Sequence, residues 1–211
     1  MKDTEVVEGA THESERGKFQ IFTAPAIRRP VSADHATDDD MSAALALMDY
    51  SGLLGPNSED EVRATVTDML RALVPGSAVT VLFGQRGPKG MSLGHAWFGP
   101  NLPLYRHSHP KFGDCLYYVL AGEIMLGRQV LKPGDGFFVP NGMPYKYRAG
   151  PDGCEVLEFR AGGGIKGAPH TRIDEASLDA LKRVAEMCRA NHHRWARPPV
   201  VVSDGALMSK A

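Results

Sequence analysis

Between residues 78 and 160 the chain runs through short β-rich stretches, AVTVLF, MSLGHAWF, CLYYVL, EIMLG, GFFVP and EVLEFR, parted by Gly/Pro turns. Short strands at close, regular spacing, without helices between them, indicate an antiparallel barrel or sandwich and a mainly β fold class. Two helical segments precede this region. DDDMSAALALMDY opens on acids that suit a helix N-terminus and stops at SGLLGPN. SEDEVRATVTDMLRALVPG opens with Ser58 and Glu61 at capping-box spacing and closes at Pro75-Gly76. Its Val62, Val66, Met69, Leu70 and Leu73 share one face, the mark of a core-packing stripe. After the β region, AGGGIKGAP reads as a flexible connector. DEASLDALKRVAEMCRAN reads as a last helix, with Leu178, Leu181, Val184, Met187 and Cys188 broadly on one side. The organisation expected is therefore 1–77 (tail, arm and two helices), 78–162 (barrel) and 163–211 (linker and helix). Residues 1–17 read as a frayed tail. FQIF at 19–22 has strand content, and prolines 25 and 30 then stiffen an extended arm over 18–30. Such an arm can cover a sheet edge in its own subunit or a neighbour's, and a homodimer built on barrel edges is expected.

A chain of 211 residues with 43% hydrophobic and 23% charged content buries enough apolar surface to fold without disulfides. A formal net charge of -1 with no long basic block gives no footprint for a phosphate backbone, so nucleic acid is not an expected partner. Cys115, Cys154 and Cys188 are too few and too widely spaced for a disulfide framework or a CxxC pair, and read as reduced core thiols. The polar start lacks the apolar core of a signal peptide, and no apolar run reaches membrane-spanning length. A soluble cytoplasmic protein without membrane contact is the expectation.

The chemistry concentrates in HSHPKFGDCLYYVLAG, residues 107–122. On a strand, alternate side chains share a face, so His107 and His109 project together while Arg106 and Ser108 point the other way. Two imidazoles facing a barrel interior are costly unless something uses their lone pairs. Asp114 lies five residues on, and a turn through Pro110 and Gly113 can fold it back beside them. Two histidines and a carboxylate form the ligand set of facial-triad iron sites and also suit zinc, manganese or nickel.

This framing resembles the cupin family. Its first motif is a glycine, five residues, HxH, three or four residues, an acid, a short strand and a glycine. Asn101 stands where the first glycine belongs, a mild departure because Asn tolerates the left-handed conformation. His107, His109 and Asp114 take the ligand positions, and Gly122 closes the motif one residue later than the strict pattern. In the second motif Gly134, Pro140 and Gly142 fall on pattern, while Tyr145 replaces the histidine and Ala149 the asparagine. The resemblance implies a single cupin barrel, a double-stranded β-helix or jelly roll, with an N-terminal helical extension and a C-terminal helix. It covers residues 91–160 and leaves activity open, since the family spans dioxygenases, lyases, isomerases, decarboxylases and non-catalytic binders.

Tyr145 is open to several roles: a phenolate on ferric iron, a hydrogen bond to a metal-bound water or substrate, a general base, or barrel lining. Its reach beyond that of an imidazole argues for the substrate side of a metal. His95, in LGHAW, shares a face with Leu93 and Trp97 and can supply the missing imidazole if that face looks inward. Tyr118, Phe137, Tyr145 and Tyr147 can line a pocket for a small oxygenated, aromatic or keto acid. GPKG at 87–90 reads as a hairpin turn and the glycine run at 162–164 as a linker. The leading expectation is an enzyme with one divalent metal ion, iron before zinc, manganese or nickel, acting as a dioxygenase on a small molecule. A metal-assisted lyase or isomerase with Tyr145 as acid/base comes second, and a non-catalytic small-ligand binder third.

Overall fold

The computed structural model describes residues 6–8, 10–13, 20–22, 37–85, 87–163 and 171–195. Its first strand, β1 (Val6–Glu8), lies antiparallel along the edge of the main sheet, and β2 (Ala10–Glu13) pairs with β3 (Gln20–Phe22). Parts of the segment expected to fray are thus strands. The arm expected over 18–30 is described only at 20–22, where it pairs within its own chain, and its proline-bearing part lies outside the described residues.

Helix α1 (Asp38–Ala46) is held by a full reciprocal cap. Thr37 Oγ1 accepts from Asp40 N at 3.1 Å, and Asp40 Oδ2 accepts from Thr37 N at 2.9 Å. The helix stops short of its expected end because β4 (Met48–Asp49) is claimed by parallel pairing with β12 (Thr171–Ile173). At α2 (Glu59–Leu73), Ser58 Oγ accepts from Glu61 N at 3.2 Å, the hydroxyl half of the box expected there. Its stripe is buried as the spacing requires. Val62, Val66 and Met69 are fully enclosed, each contributing about 1.5–3 kcal/mol. This face packs against α3 (Leu178–Asn191), which buries Leu178, Leu181, Val184 and Cys188 but leaves Met187 in solvent. No helix among the described residues is long and apolar enough to cross a membrane.

The main sheet is antiparallel, in the order β1, β5 (Ser77–Gln85), β6 (Gly87–Phe98), β11 (Arg148–Gly163), β8 (Cys115–Leu126), β10 (Gly136–Val139), with β9 (Gln129–Leu131) added to β8. CLYYVL and EIMLG form one strand bent at Gly122. Its φ of 68° is left-handed, and a Cβ there would meet Gly153 O at 2.1 Å, so only glycine fits the bend. The expected turn at GPKG and the start of the expected glycine linker are strand instead: Gly87 pairs with Gly163, which extends both β6 and β11.

A smaller sheet, in the order β4, β12, β7 (His107–Ser108), closes the opposite side. The segment 101–107 runs antiparallel to 145–150 and sews the two sheets together. Asn101 N donates to Gly150 O, Ala149 N to Leu102 O and Leu104 N to Tyr147 O, at 2.9–3.0 Å. Asn101 sits at φ 56°, the left-handed conformation its place in the motif demands. The result is the mainly β barrel with flanking helices expected from the strand spacing.

Candidate functional site

The seam places the site's two central residues. His107 and Tyr145 exchange both backbone hydrogen bonds, His107 N to Tyr145 O at 3.0 Å and Tyr145 N to His107 O at 2.9 Å. Directly paired residues of an antiparallel ladder present side chains on one face. Hence the imidazole and phenol meet inside the barrel, with ring centroids 4.5 Å apart. His109, the next residue on that face, holds its ring 5.0 Å from that of His107.

Hydrogen bonding assigns the protons. His107 Nδ1 lies 2.9 Å from the carbonyl of Tyr105, which can only accept, so Nδ1 carries the proton and Nε2 the lone pair. That lone pair accepts from Tyr145 Oη at 3.1 Å. Tyr145 Oη in turn is hydrogen-bonded to the hydroxyl of Tyr117 on β8. Burial pushes the pKa of His107 down and those of Tyr145, Tyr117 and Tyr147 up, so every member rests neutral.

The fourth wall comes from β11. Glu158 stands opposite Tyr117 and Arg160 opposite Cys115 in the ladder, so both charges point inward, each about 12% exposed. Arg160 Nη2 donates to Glu158 Oε2 at 2.8 Å and lies 3.3 Å from His109 Nε2 and 3.4 Å from Tyr117 Oη. Its Nη1 is buried and has no hydrogen-bond partner among the described residues. Burial acts to lower the guanidinium pKa, but the Glu158 carboxylate and its neighbours outweigh that and raise it, so the charge is permanent. Phe137 stacks on Tyr117 at 4.5 Å and meets Tyr147 edge-on at 5.7 Å, so both rings join the same aromatic cluster.

Three expectations need correction. Asp114 is exposed, and its Oδ1 accepts from Asn141 N at 2.8 Å, so it ties two loops together and is not brought to the imidazoles. Tyr118 is 43% exposed on the outer face, while its neighbour Tyr117 takes the inner place. His95 is fully buried but on the other side of the sheet: it pairs with Thr80 and Leu157, whereas the adjacent Gly94 pairs with Glu158. There its Nε2 meets Glu155 Oε2 at 2.9 Å. Glu158, Arg160 and Tyr117 were missed. For the third ligand position, counting back from Gly122 lands on Cys115, an inward thiol whose pKa burial pushes up to about 11.

A divalent ion fits this arrangement poorly. Among the described residues no group of three or more His, Cys, Asp or Glu side chains is disposed to hold one. The Nε2 lone pairs of His107 and His109 already accept hydrogen bonds, and a guanidinium charge lies against the second.

No family model matches the chain, and no curated protein matches it. Solved structures do superpose on parts of it. An RmlC-like cupin from Shewanella frigidimarina does so with a TM-score of 0.36 at 22% identity, over 44% of this chain and 79% of the other. KdgF from a Halomonas species gives 0.35 at 22% identity, over 41% and 80%. The polyketide cyclase RemF from Streptomyces resistomycificus gives 0.40 at 22% identity, over 55% and 82%. In this chain the antiparallel sheet order, the left-handed motif positions 101, 122, 134 and 142 and the paired inward imidazoles meet in one barrel, and its fold is that of a cupin.

Proposed function

We propose that the barrel interior binds a small organic acid or keto acid and catalyses proton transfer at a carbon beside its carbonyl group, as a lyase or isomerase. The observation that carries this reading is the Tyr117–Tyr145–His107–Tyr105 chain of hydrogen bonds. Tyr145 takes the substrate proton on Oη while its own proton passes to His107 Nε2. The imidazolium so formed keeps its Nδ1 proton on the Tyr105 carbonyl. Burial disfavours a free phenolate, and a proton passed on as one is taken avoids forming it. The negative charge left on the substrate oxygen has the Arg160 Nη1 donor available to it. Metal enters no step, because the donor set fits an ion poorly.

The test needs no prior substrate. A panel of small keto and hydroxy acids is incubated with the protein in deuterium oxide and followed by proton NMR. At least one acid should lose the hydrogen next to its carbonyl to solvent deuterium, at a rate unchanged by prolonged chelation. A rate that disappears on chelation and returns with ferrous iron refutes the reading in favour of a metal enzyme. No exchange with any acid refutes it in favour of a binder.

A further inference from the structure

Arg160 Nη2 is surrounded as a bound cation would be. A carboxylate oxygen (Glu158), an imidazole nitrogen (His109) and a phenol oxygen (Tyr117) face it at 2.8, 3.3 and 3.4 Å. All three can act as acceptors, and the guanidinium is about 12% exposed on a strand whose register is fixed on both sides. His107 Nε2 points into the same interior, 38 residues from its Tyr145 partner in sequence but next to it in space. Two imidazole nitrogens and one carboxylate are the donor types of a mononuclear metal site. Here a tethered cation stands against the carboxylate and one imidazole, and among the described residues no group of three such side chains is disposed to hold an ion.

We propose that Arg160 is the resident cation of a latent two-histidine, one-carboxylate site, and that its guanidinium is what excludes a divalent metal from His107, His109 and Glu158. The inference deepens the metal-free reading above. Removing the side chain takes away a positive charge beside His109 and frees the Glu158 carboxylate. Both changes favour a bound dication. A guanidinium at this position can also meet a substrate oxygen through Nη1, but unlike a metal it cannot be lost, exchanged or oxidised.

The test is titration of the full chain with Co²⁺, whose visible bands report nitrogen and carboxylate ligation. The wild type should bind the ion only weakly, and Arg160→Met should show one saturable site about a hundredfold tighter once the opposing charge is gone. Adding His109→Gln or Glu158→Gln to that variant should abolish the gain. Arg160→Met leaves Glu158 without its partner and can lose fold stability, so thermal unfolding is followed with and without Co²⁺. A loosened variant should regain its unfolding temperature when Co²⁺ is added, and the wild type should not respond. Arg160→Lys, which keeps a cation on the strand, should fold and still exclude the ion. Tight Co²⁺ binding by the wild type or by Arg160→Lys overturns the proposal. So does an Arg160→Met variant that neither binds Co²⁺ nor is stabilised by it. Deuterium exchange without these metal results would leave the proton-transfer reading standing and this one refuted; the reverse pattern would do the opposite.

Discussion

Two buried histidine–carboxylate neighbourhoods lie back to back on the two faces of β11. On the inner face, Glu158 belongs to a network of arginine, two tyrosines and two histidines that ends at a donor with no partner among the described residues. On the outer face, Glu155 and His95 form a closed pair, both about 1% exposed, beside Trp97. The outer pair also has loose ends, since His95 Nδ1 and Trp97 Nε1 have no hydrogen-bond partner among the described residues. Among the described residues the outer pair's side chains hydrogen-bond only to each other, whereas Arg160 reaches the tyrosine–histidine relay through Nη2. Burial of a histidine is therefore not what marks a site. The mark is a connected path from a proton acceptor to a donor with capacity to spare.

The sharpest way to break this contrast is to change one polar side chain on each side. Tyr145→Phe should fold normally and lose deuterium exchange by about a hundredfold or more, the worth of a positioned acid–base group. His95→Gln should leave the exchange rate of the folded protein within about twofold, since it touches no member of the relay. If His95→Gln lowers the rate as far as Tyr145→Phe does, the two faces are coupled and the distinction fails.

The outer pair should reveal itself in stability. Glu155→Ala leaves His95 buried without its partner, and urea unfolding should show a loss of about 1–3 kcal/mol with exchange kinetics of the folded fraction preserved. An unchanged midpoint would mean that the pair contributes nothing. The smallest effect belongs to Asp114. Asp114→Ala removes one exposed loop hydrogen bond, so about 0.5–1.5 kcal/mol of stability should go. Exchange rate should not move. A collapse of activity in that variant would restore Asp114 to the site.

The barrel and its helices were legible because their patterns are strong. Stripes at helical spacing marked α2 and α3, and short strands set off by glycine and proline marked the sheets. Phase was harder. CLYYVL is almost wholly apolar, so alternation could not tell Tyr117 from Tyr118, and the ladder with Glu158 settled it. Asp114 followed from counting forward from the histidines, although the late Gly122 already signalled a one-residue offset toward Cys115. EVLEFR was read only as a strand. Alternating charges on a strand usually mark the solvent face, but here Glu158 and Arg160 point inward because they neutralise each other. Asn101 was the reverse case, a departure from the motif whose backbone came out as expected.

The three thiols noted at the outset are all buried, and burial pushes Cys115, Cys154 and Cys188 up to about 11, 12 and 12. One lies beneath Arg160 in the ladder, one at the bend opposite Gly122, and one on the helix that packs against α2. In the native protein each is shielded from alkylating reagents, so reagent reaches a given thiol only when its surroundings open. The chain thus carries its own clock at three depths. Pulse alkylation read by mass spectrometry can time the opening of the proton relay, the strand bend and the helical layer separately, with no label introduced.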